Sequence, residues 1–548
     1  MDHLLFTIFA GIAFWAASVF ATRRYVHLLQ LEGYQGDCYM KSAARNFLHL
    51  WLPLLIIYAG AIGLNAILGI WIKSSMSVWI SDAAALAAYV LYIILTNLKK
   101  AKKPLVFTPR IWRLFSCIAI LMLIVMALLA YTLFLLDGNT EVSDVRNVII
   151  SNAIFFLAVP LIPLLVLLAS WIMLPVENGV RKWYLNDAQK KIDSMQDLIK
   201  IGITGSYGKT STKFILGTLL SEKYKVLVPP SSYNTPMGLT RMIREQLDKT
   251  HEVFIAEMGA RRTGEIKELC DLVHPQYGIL TSVGKQHLET FKTLENITKT
   301  KYELIEALPK DGMAFFPSDN DICFELYMAT RKPKVLYGLT DRGEPLYMTA
   351  ADISVGPEGS SFELVCPDGK VTCTTRILGK HNIANILGCA SIAHVLGLTL
   401  EEIASGISKL EPVEHRLQII PTNNGITVID DSFNSNPSGS KAALDVLASF
   451  NGRRKIVITP GMVELGEEEN EQNMIFGSRM ADVADYVILV GENHTRPIAE
   501  GLVKCGFDQN NIYVTDALND ATAHFASISK TGDVVLFEND LTDNYNDK

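Results

Sequence analysis

The chain has 548 residues, enough for about three or four domains of ordinary size, and 49% of them are hydrophobic. The charge is unevenly spread, because residues 1–196 carry 16 Lys and Arg against 10 Asp and Glu, whereas the remainder carries 34 against 47. So acidic a remainder argues against nucleic-acid binding, since phosphate contacts need clustered Lys and Arg.

Five apolar runs occupy the N-terminal third, and each is long enough to cross a hydrocarbon core about 30 Å thick. They cover approximately residues 4–21, 48–72, 77–96, 114–136 and 148–174. The sequence therefore predicts an all-α membrane domain of five transmembrane helices over residues 1–176. Residues 177–197 follow as a juxtamembrane connector, an amphipathic segment whose basic side chains are expected to rest on anionic lipid headgroups.

The basic residues between the runs predict an orientation. The loops 22–47 and 97–113 hold four and six Lys and Arg, whereas 73–76 and 137–147 hold one each. Because loops rich in Lys and Arg stay in the cytoplasm, everything after about residue 175 is expected inside. The eight cysteines form no Cys-x-x-Cys pair, which agrees with a reducing cytoplasm and indicates neither a zinc site nor a disulfide framework.

The stretch GITGSYGKTST, residues 202–212, is typical of a phosphate-binding loop between a strand and a helix. A strict P-loop would need Gly at position 203, where this chain has Ile203. In this setting Lys209 would reach the terminal phosphates, and the Thr210 hydroxyl would touch Mg²⁺. The alternative is a glycine-rich turn with an incidental lysine.

Two further strand patterns end in polar residues beside this loop. VFIAE ends in Glu257, and YGILTSVG ends shortly before His287. Because parallel strands deliver ligands at their carboxyl edge, a magnesium site is expected there. Imidazole is an unusual Mg²⁺ ligand, so on chemistry alone His287 is equally a hydrogen-bonding structural residue.

Eight motifs in order along residues 198–540 resemble those of the Mur ligase family, the ATP-dependent amide-bond ligases that build the peptide of bacterial cell-wall precursors. The first four are TGSYGKTST, SYNTPMG, AEMGARRTGEI and TSVGKQHLETFKTLENITKTKYELIEALPKDG. The others are GKHNIANILG (379–388), EHRLQ (414–418), IDDSFNSNPSGS (429–440) and GMVELGEE (461–468). The last two are most similar to the MurF type, which adds D-alanyl-D-alanine to UDP-N-acetylmuramoyl-tripeptide.

In this family a substrate carboxylate attacks the γ-phosphate of ATP, and an amine then displaces phosphate from the acyl phosphate. The resemblance implies that Lys209 contacts the β- and γ-phosphates, while Thr210 and Glu257 hold a first Mg²⁺. It places His287 at a second Mg²⁺. Lys301 matches a lysine that family members carry as a carbamate, a modification that turns a cation into a carboxylate-like ligand; the alternative is a solvated helix lysine.

The resemblance also implies roles for further residues, which fall into nucleotide-binding, catalytic and substrate-binding sets. Arg416 and Asp431 resemble groups that close over the nucleotide, and the alternative for them is a surface salt bridge. Asn434 and Asn436 match the family pattern too, and the alternative for them is making a turn before Pro437. The nucleotide-binding set that the resemblance implies is Gly205, Ser206, Gly208, Lys209, Thr210, Ser211, His381, Asn382, Asn385, Arg416 and Asp431. The catalytic set is Lys209, His287, Lys301 and Arg416, and the substrate-binding set is Asn234, Asn434 and Asn436.

Three departures from the family pattern stand out. An Asn-x-Asp-Asp stretch appears as Pro317-Ser318-Asp319-Asn320, so one adenine contact is in doubt. The lysine-glycine-serine-arginine run of the MurF type is replaced by FENDLTDNY, residues 537–545, where the amine is expected. The N-terminal UDP-sugar domain of the family is not found in this sequence, and the five apolar runs stand in its place.

We therefore expect an all-α transmembrane region followed by an α/β part. A central ATP-binding domain at 198–414 should have a mostly parallel sheet, and a smaller Rossmann-like domain should occupy 415–548. ATP would sit between these two domains. The stretch 320–378 is expected to be a strand-rich antiparallel addition to the central domain.

The leading hypothesis is a membrane-anchored ATP-dependent ligase on the cytoplasmic face of a bacterial inner membrane, using ATP and two Mg²⁺ ions. Its partners would be the lipid bilayer, a membrane-proximal or lipid-linked envelope precursor, and an amino acid or small peptide; no nucleic acid is expected, and the sequence indicates no protein partner. Two alternatives remain open. One is a polymerising ligase similar to poly-γ-glutamate synthases, and the other is a catalytically inactive ATP-binding scaffold for envelope assembly.

Overall fold

The computed structural model describes residues 2–71, 76–97, 104–137, 157–230, 233–422, 424–433, 435–463 and 465–540. Its contacts divide the chain into two units, Met1–Arg181 and Lys182–Lys548. The expected substrate-binding residue Asn434 lies outside the described residues, as do 148–156 of the fifth apolar run and the C-terminal residues 541–548.

The N-terminal unit is helical in the part that is described. Its helices are α1 (Asp2–Ala21), α2 (Arg23–Leu31), α3 (Gly36–Arg45), α4 (Phe47–Leu50), α5 (Leu52–Trp71), α6 (Met76–Asn97), α7 (Pro109–Asp137) and α8 (Ile162–Asp193), the last of which continues into the second unit. Two buried tyrosines connect some of these helices through hydrogen bonds. The Tyr25 hydroxyl donates to the Leu50 carbonyl at 2.6 Å, and the Tyr39 hydroxyl donates to the Pro163 carbonyl at 3.0 Å.

Three stretches of the described helices are long and apolar enough to cross a membrane. They are Phe47–Leu64, Pro109–Leu129 and Ile162–Asp193. The apolar runs at 4–21 and 77–96 also form helices, α1 and α6. That any of these helices spans a membrane stays a prediction.

Helix α8 runs without interruption across residue 176, where the membrane domain was expected to end. It contains Pro175, whose missing N–H removes one backbone hydrogen bond from the helix. The connector expected at 177–197 is therefore mostly the C-terminal part of this long helix. In the second unit it contacts the central domain, since Arg244 Nε donates to Asp187 Oδ2 at 2.6 Å.

The central domain contains a six-stranded parallel sheet. Its strands are β1 (Ile199–Thr204), β2 (Val226–Leu227), β3 (Val253–Glu257), β4 (Tyr277–Leu280), β5 (Met313–Pro317) and β6 (Lys334–Tyr337), in the spatial order β2-β3-β1-β4-β5-β6. The apolar sequences of β1 and β3 fit strands buried on both faces. Because β1 lies between β3 and β4, the loop that follows β1 is flanked by the carboxyl ends of both neighbours.

Helices cover both faces of this sheet. They are α9 (Lys209–Leu220), α10 (Pro236–Glu245), α11 (Glu265–Val273), α12 (Leu288–Phe291), α13 (Leu294–Ala307), α14 (Asp321–Ala329), α15 (Lys380–Val395) and α16 (Leu400–Ser408). One apolar core joins α9 to α15 through buried residues such as Leu216 and Ile386. The core on the other face includes Ile192 of α8, Ile243 of α10 and Leu304 of α13.

The expectation for residues 320–378 was only partly right. Residues Asp321–Ala329 form a helix, and Lys334–Tyr337 join the parallel sheet as its edge strand β6. The antiparallel addition is confined to β7 (Thr349–Gly356), β8 (Gly359–Cys366) and β9 (Gly369–Thr375). The apolar pattern of β6 matches a buried strand, and such a short run does not by itself reveal which sheet it joins.

The C-terminal domain has its own six-stranded sheet. Its strands are β10 (Gln418–Pro421), β11 (Thr427–Asp431), β12 (Lys455–Thr459), β13 (Tyr486–Val490), β14 (Ile512–Thr515) and β15 (Val534–Glu538), in the order β10-β11-β15-β12-β13-β14. Its α-helices are α17 (Pro437–Ala448), α18 (Glu469–Ala481), α19 (Glu492–Lys504) and α20 (Leu518–Ile528). Only β10 pairs antiparallel. The predicted α/β part, with a parallel central sheet and a second sheet domain, is confirmed.

Candidate active site

The loop between β1 and α9 needs two of its glycines. Gly205 has φ +152°, and a Cβ there would lie 2.1 Å from Thr281 Oγ1. Gly208 has φ +79°, and a Cβ there would lie 2.9 Å from Asn385 Oδ1. Both positions combine a left-handed backbone with a close approach, so only glycine fits them.

Hydrogen bonds to the end of β4 fix the loop. The Ser206 amide donates to the Ser282 carbonyl at 2.7 Å, and the Tyr207 amide donates to Ser282 Oγ at 3.1 Å. The Ser206 hydroxyl donates to the Gly284 carbonyl at 2.9 Å. The loop is thus held rigidly at the N-terminus of α9, where helix amides favour phosphate.

Lys209 is the first residue of α9, and its side chain folds back over the loop. Its Nζ donates to the carbonyl oxygens of Gly205 at 2.6 Å and Ser206 at 3.0 Å. The pKa of Lys209 is lowered to about 8, chiefly by burial; the negative charge of Glu257 opposes this shift, and the positive charge of Arg416 adds to it. An anion at the loop would restore the charged form.

Glu257, at the end of β3, is 1% exposed and has three partners. Its Oε1 accepts hydrogen bonds from Thr210 Oγ1 and Asn234 Nδ2, both at 3.1 Å. Its Oε2 lies 3.1 Å from Lys213 Nζ. The structure therefore brings the expected pair Thr210 and Glu257 together, and it places Asn234 beside this carboxylate. Lys213 was missed, because nothing in the sequence marks one helix lysine as buried.

Lys301, on α13, is only 2% exposed, which excludes the alternative of a solvated helix lysine. Its Nζ lies 5.9 Å from the centre of the Phe291 ring. Burial moves the pKa of Lys301 well below its usual value, and the charge of Lys209 adds to this shift. A neutral amine is the form that reacts with carbon dioxide to give a carbamate.

His287 has a left-handed backbone, with φ +53°, and it precedes the short helix α12. Its side chain is half-buried. Within the described ranges there is no cluster of three or more His, Cys, Asp or Glu side chains arranged for a metal ion. The oxygen atoms of Thr210 and Glu257 nevertheless suit a hard cation such as Mg²⁺. The role of His287 stays a prediction.

A cleft of about 460 Å³ opens beside the loop, between the central and C-terminal domains. From the expected nucleotide-binding set it is lined by Gly208, Ser211, His381, Asn382, Asn385, Arg416 and Asp431. Asn382 and Asn385 are linked at the start of α15, since Asn385 Nδ2 donates to Asn382 Oδ1 at 3.3 Å. The cleft lies between the two domains, where the nucleotide was expected.

Asp319 and Asn320 also line the cleft, at the stretch that departs from the family pattern. Asn320 caps α14 by accepting from the Cys323 amide at 3.0 Å, and its Nδ2 donates to the Val283 carbonyl at 2.9 Å. Although the sequence departs from the family pattern here, the cleft still has two polar side chains at this position. Their place directly after β5 would have predicted this, because polar residues at the carboxyl ends of parallel strands often face a ligand.

Arg416 enters the cleft from a strained loop of the C-terminal domain. The residues on either side of it, His415 and Leu417, have φ values of +61° and +46°. The Leu417 amide donates to Asp431 Oδ1 at 3.2 Å, and the Arg416 guanidinium lies 4.6 Å from the centre of the Phe433 ring. Non-glycine residues in this region cost about 1–3 kcal/mol each, so such strain often marks a functional site.

The charges of Arg416 and Asp431 influence each other. Burial lowers the pKa of Arg416, and the negative charges of Asp431 and Glu257 oppose this shift. Burial raises the pKa of Asp431 to about 6, although Arg416 counteracts it. Both side chains line the cleft and are half-buried, so an ionic interaction between them is stronger than on a fully exposed surface.

Asn436 is the N-cap of α17 and accepts from the amides of Ser438 at 3.2 Å and Gly439 at 2.8 Å. Asn436 therefore has a local structural role at the start of α17. The residue also lines the cleft, so its expected role toward substrate stays a prediction.

Comparisons with known proteins agree with this architecture. The model of the Mur ligase middle domain matches residues 203–393, and that of the Mur ligase glutamate ligase domain matches residues 415–538. The UDP-N-acetylmuramoyl-tripeptide--D-alanyl-D-alanine ligase of Bacillus subtilis is 29% identical over 340 residues, which cover 62% of this chain and 72% of the relative. The Escherichia coli ligase of the same name is 31% identical over 306 residues, covering 55% and 67%.

Solved structures give the same result. MurF from Acinetobacter baumannii superposes with a TM-score of 0.59 at 25% identity, covering 66% of this chain and 77% of that structure. The MurF ligase from Thermotoga maritima, in complex with ADP, superposes with a TM-score of 0.58 at 26% identity, covering 66% and 80%. The chain belongs to the Mur ligase family.

Proposed function

We propose that this chain is a membrane-anchored ligase that forms an amide bond on a cell-envelope precursor, at the cytoplasmic face of a bacterial membrane. Membership of the Mur ligase family makes it an ATP-dependent, ADP-forming ligase. The observation that carries the proposal is the group of Lys209, Glu257 and buried Lys301 beside a cleft between two domains. An inactive scaffold would not need to keep a lysine buried there.

In the proposed reaction the loop amides and Lys209 hold the phosphates of ATP, and Arg416 approaches them from the other domain. An acid attacks the γ-phosphate, which gives an acyl phosphate and ADP, and an amine then displaces phosphate. Thr210 and Glu257 would hold Mg²⁺, whose charge would offset that of the phosphates. Domain closure would complete the site around the nucleotide.

Lys301 is proposed to act as its carbamate. The neutral amine that burial favours would add carbon dioxide and lose a proton, giving a negative group beside Lys209. This would replace an unfavourable electrostatic interaction between two lysines by an attractive one. His287 is proposed to hold a second ion, on the family resemblance alone.

The proposed membrane anchor rests on the N-terminal unit. On α7, the side chains of Ile120, Leu123 and Leu128 are 60%, 58% and 58% exposed. Apolar side chains exposed along a helix of this length suit a lipid environment better than water. We therefore propose an acid that is lipid-linked or lies close to the membrane, joined to an amino acid or small peptide.

The substrates named for the relatives are UDP-N-acetylmuramoyl-tripeptide and D-alanyl-D-alanine. The same amine is not proposed for this chain, because FENDLTDNY stands where the MurF type has its basic run. A polymerising ligase would be recognised by a long product from one amino acid.

The experiment is to incubate the purified full chain in detergent with Mg²⁺, ATP and candidate acids and amines. ADP release that needs both an acid and an amine, and that is lost in Lys209→Ala, would support the proposal. ADP release only with soluble UDP-linked acids would contradict the lipid-linked substrate. ATP binding without turnover across lipid-linked, UDP-linked and free acids would favour the scaffold.

A further inference from the structure

Lys213 is a fully buried lysine one turn along α9 from Lys209, and the proposed reaction does not use it. Its side chain is 0% exposed, and its Nζ lies 3.1 Å from Glu257 Oε2. The same Nζ lies 4.5 Å from the centre of the Phe214 ring. A lysine this deeply buried needs a negative partner, and Glu257 is the one it contacts.

The two oxygens of Glu257 have different surroundings. Oε2 faces Lys213, whereas Oε1 accepts from Thr210 and Asn234. Only the Oε1 side therefore has the neutral oxygen of a hydroxyl beside it, which is the kind of ligand that Mg²⁺ accepts. By holding Oε2, Lys213 orients the carboxylate so that Oε1 is presented to the loop.

Glu257 has cationic neighbours even without a metal. Lys213 contacts it, and Lys209 and Arg416 are close enough to interact with it electrostatically. A free divalent cation would bring two more positive charges beside these three cationic side chains. The phosphates of a nucleotide would supply the missing negative charge.

We infer that Lys213 is a positioning residue that neutralises Glu257 before the nucleotide arrives, so that the site takes up its divalent cation together with a nucleoside triphosphate and not alone. The inference rests on the proposed role of Glu257 as a magnesium ligand. In this role Lys213 makes binding of the divalent cation depend on binding of the nucleotide, without contacting the substrate itself.

The test measures binding of free Mn²⁺ by electron paramagnetic resonance, using the full chain in detergent, without and with a non-hydrolysable ATP analogue. The variants are Lys213→Met, Glu257→Gln and, as a matched control, Lys223→Met, whose lysine Nζ instead contacts the Gly397 carbonyl. Without nucleotide, wild type and the control should bind Mn²⁺ weakly at this site. Lys213→Met should bind it at least about tenfold more tightly, because one positive charge is removed 3.1 Å from the carboxylate.

Equal Mn²⁺ affinity in wild type and Lys213→Met would overturn the inference. The nucleotide-dependent Mn²⁺ signal tests the proposed function separately, since Glu257→Gln should abolish it. Its survival in Glu257→Gln would remove the proposed magnesium ligand itself, and the inference with it.

A second variant covers the case in which Lys213→Met does not fold. The double variant Lys213→Met/Glu257→Gln carries a neutral pair in place of the ion pair. If it folds where Lys213→Met does not, the role of Lys213 as counter-ion stands. If the double variant also fails to fold, Lys213 serves packing instead, and the inference is overturned.

Discussion

At the scale of single residues, the site depends on charged side chains that the fold has removed from water. Lys301 is the clearest case, because it is buried and the positive charge of Lys209 disfavours a second charged lysine there. Its carbamate would have the shape and charge of a carboxylate. A glutamine in its place is shorter, carries no charge and cannot form a carbamate.

Replacing Lys301 by Gln should therefore lower kcat by about 10²–10³-fold, the range seen when one electrostatic contact to a transition state is lost. Activity should recover in part when a short carboxylate such as acetate is added. The matched control is Lys299→Gln, on the exposed side of the same helix, which should keep wild-type rates. Full activity of Lys301→Gln without any added carboxylate would disprove the carbamate.

Glu538 gives a prediction on stability. It is fully buried at the end of β15, where the hydroxyls of Ser435 and Thr459 donate to it. Burial raises its pKa from 4.5 to about 8. Because the folded state then binds a proton that the unfolded state releases, stability should fall as the pH rises from about 4.5 to 8, by at most about 1.4 kcal/mol per pH unit.

Glu538→Gln should remove this contribution, so its midpoint of thermal unfolding should depend less on pH than that of wild type. The measurement compares both proteins at pH 6 and pH 8. Glu500→Gln, a surface variant on α19, is the control and should keep the wild-type slope. The same slope in Glu538→Gln and wild type would show that Glu538 ionises normally.

The sequence predicted a loop between a strand and a helix at residues 202–212, and the structure has this loop between β1 and α9. Its role in binding phosphate stays a prediction. The sequence did not predict that Lys213 pairs with Glu257 or that Asn234 donates to it. These contacts join residues on different elements, and they depend on how α9 and α10 pack against β3. Sequence spacing carries no information on such a contact.

At the scale of elements, the loop that carries Arg416 is held in strained geometry by its neighbours. His415 Nδ1 lies 2.7 Å from Asp430 Oδ2, and the Phe433 amide donates to the His415 carbonyl at 3.3 Å. These contacts offset the backbone strain at His415 and Leu417. They make the position of Arg416 depend on β11.

Replacing Asp430 by Ala should release this loop and raise KM for ATP at least about tenfold, since a hydrogen bond to a charged group is worth roughly 1.5–3 kcal/mol. The control is Glu414→Gln, which removes the other acid near His415. Glu414 is 82% exposed and 3.6 Å from His415 Nε2, so its loss should change little. Similar kinetics for the two variants would contradict the positioning of Arg416 through Asp430.

Element prediction from sequence succeeded for the central sheet, where apolar strands alternate with helices. It failed for residues 321–337, because a short apolar run does not reveal whether it joins the parallel sheet or an antiparallel one. It also missed that α8 continues past residue 176. Composition changes there from apolar to amphipathic, but the backbone hydrogen bonds of a helix do not depend on that change.

At the scale of the whole molecule, the chain joins an apolar helical unit to the two α/β domains of a Mur ligase. The alternation of strands and helices predicted those domains, and the shared motifs predicted the family. The number of membrane-spanning helices could not be settled by hydropathy, since three described stretches meet the requirements of length and composition and two further helices stay predictions.

The full chain is expected to remain in the membrane fraction after washing with high salt and with alkaline carbonate, because apolar helices are held by burial of their side chains and not by charge. Detergent should release it. Release by salt alone would show that the N-terminal unit binds the membrane only at its surface.

The most direct test of the proposed function is the product of the reaction. The purified chain, supplied with Mg²⁺, ATP, a lipid-linked envelope acid and a mixture of amino acids and dipeptides, is analysed by mass spectrometry together with ADP release. We predict a product whose mass equals acid plus amine minus one water, formed with one ADP per bond and absent in Lys209→Ala. ATP hydrolysis without any such product, or a product formed equally in Lys209→Ala, would contradict the assignment as an amide ligase.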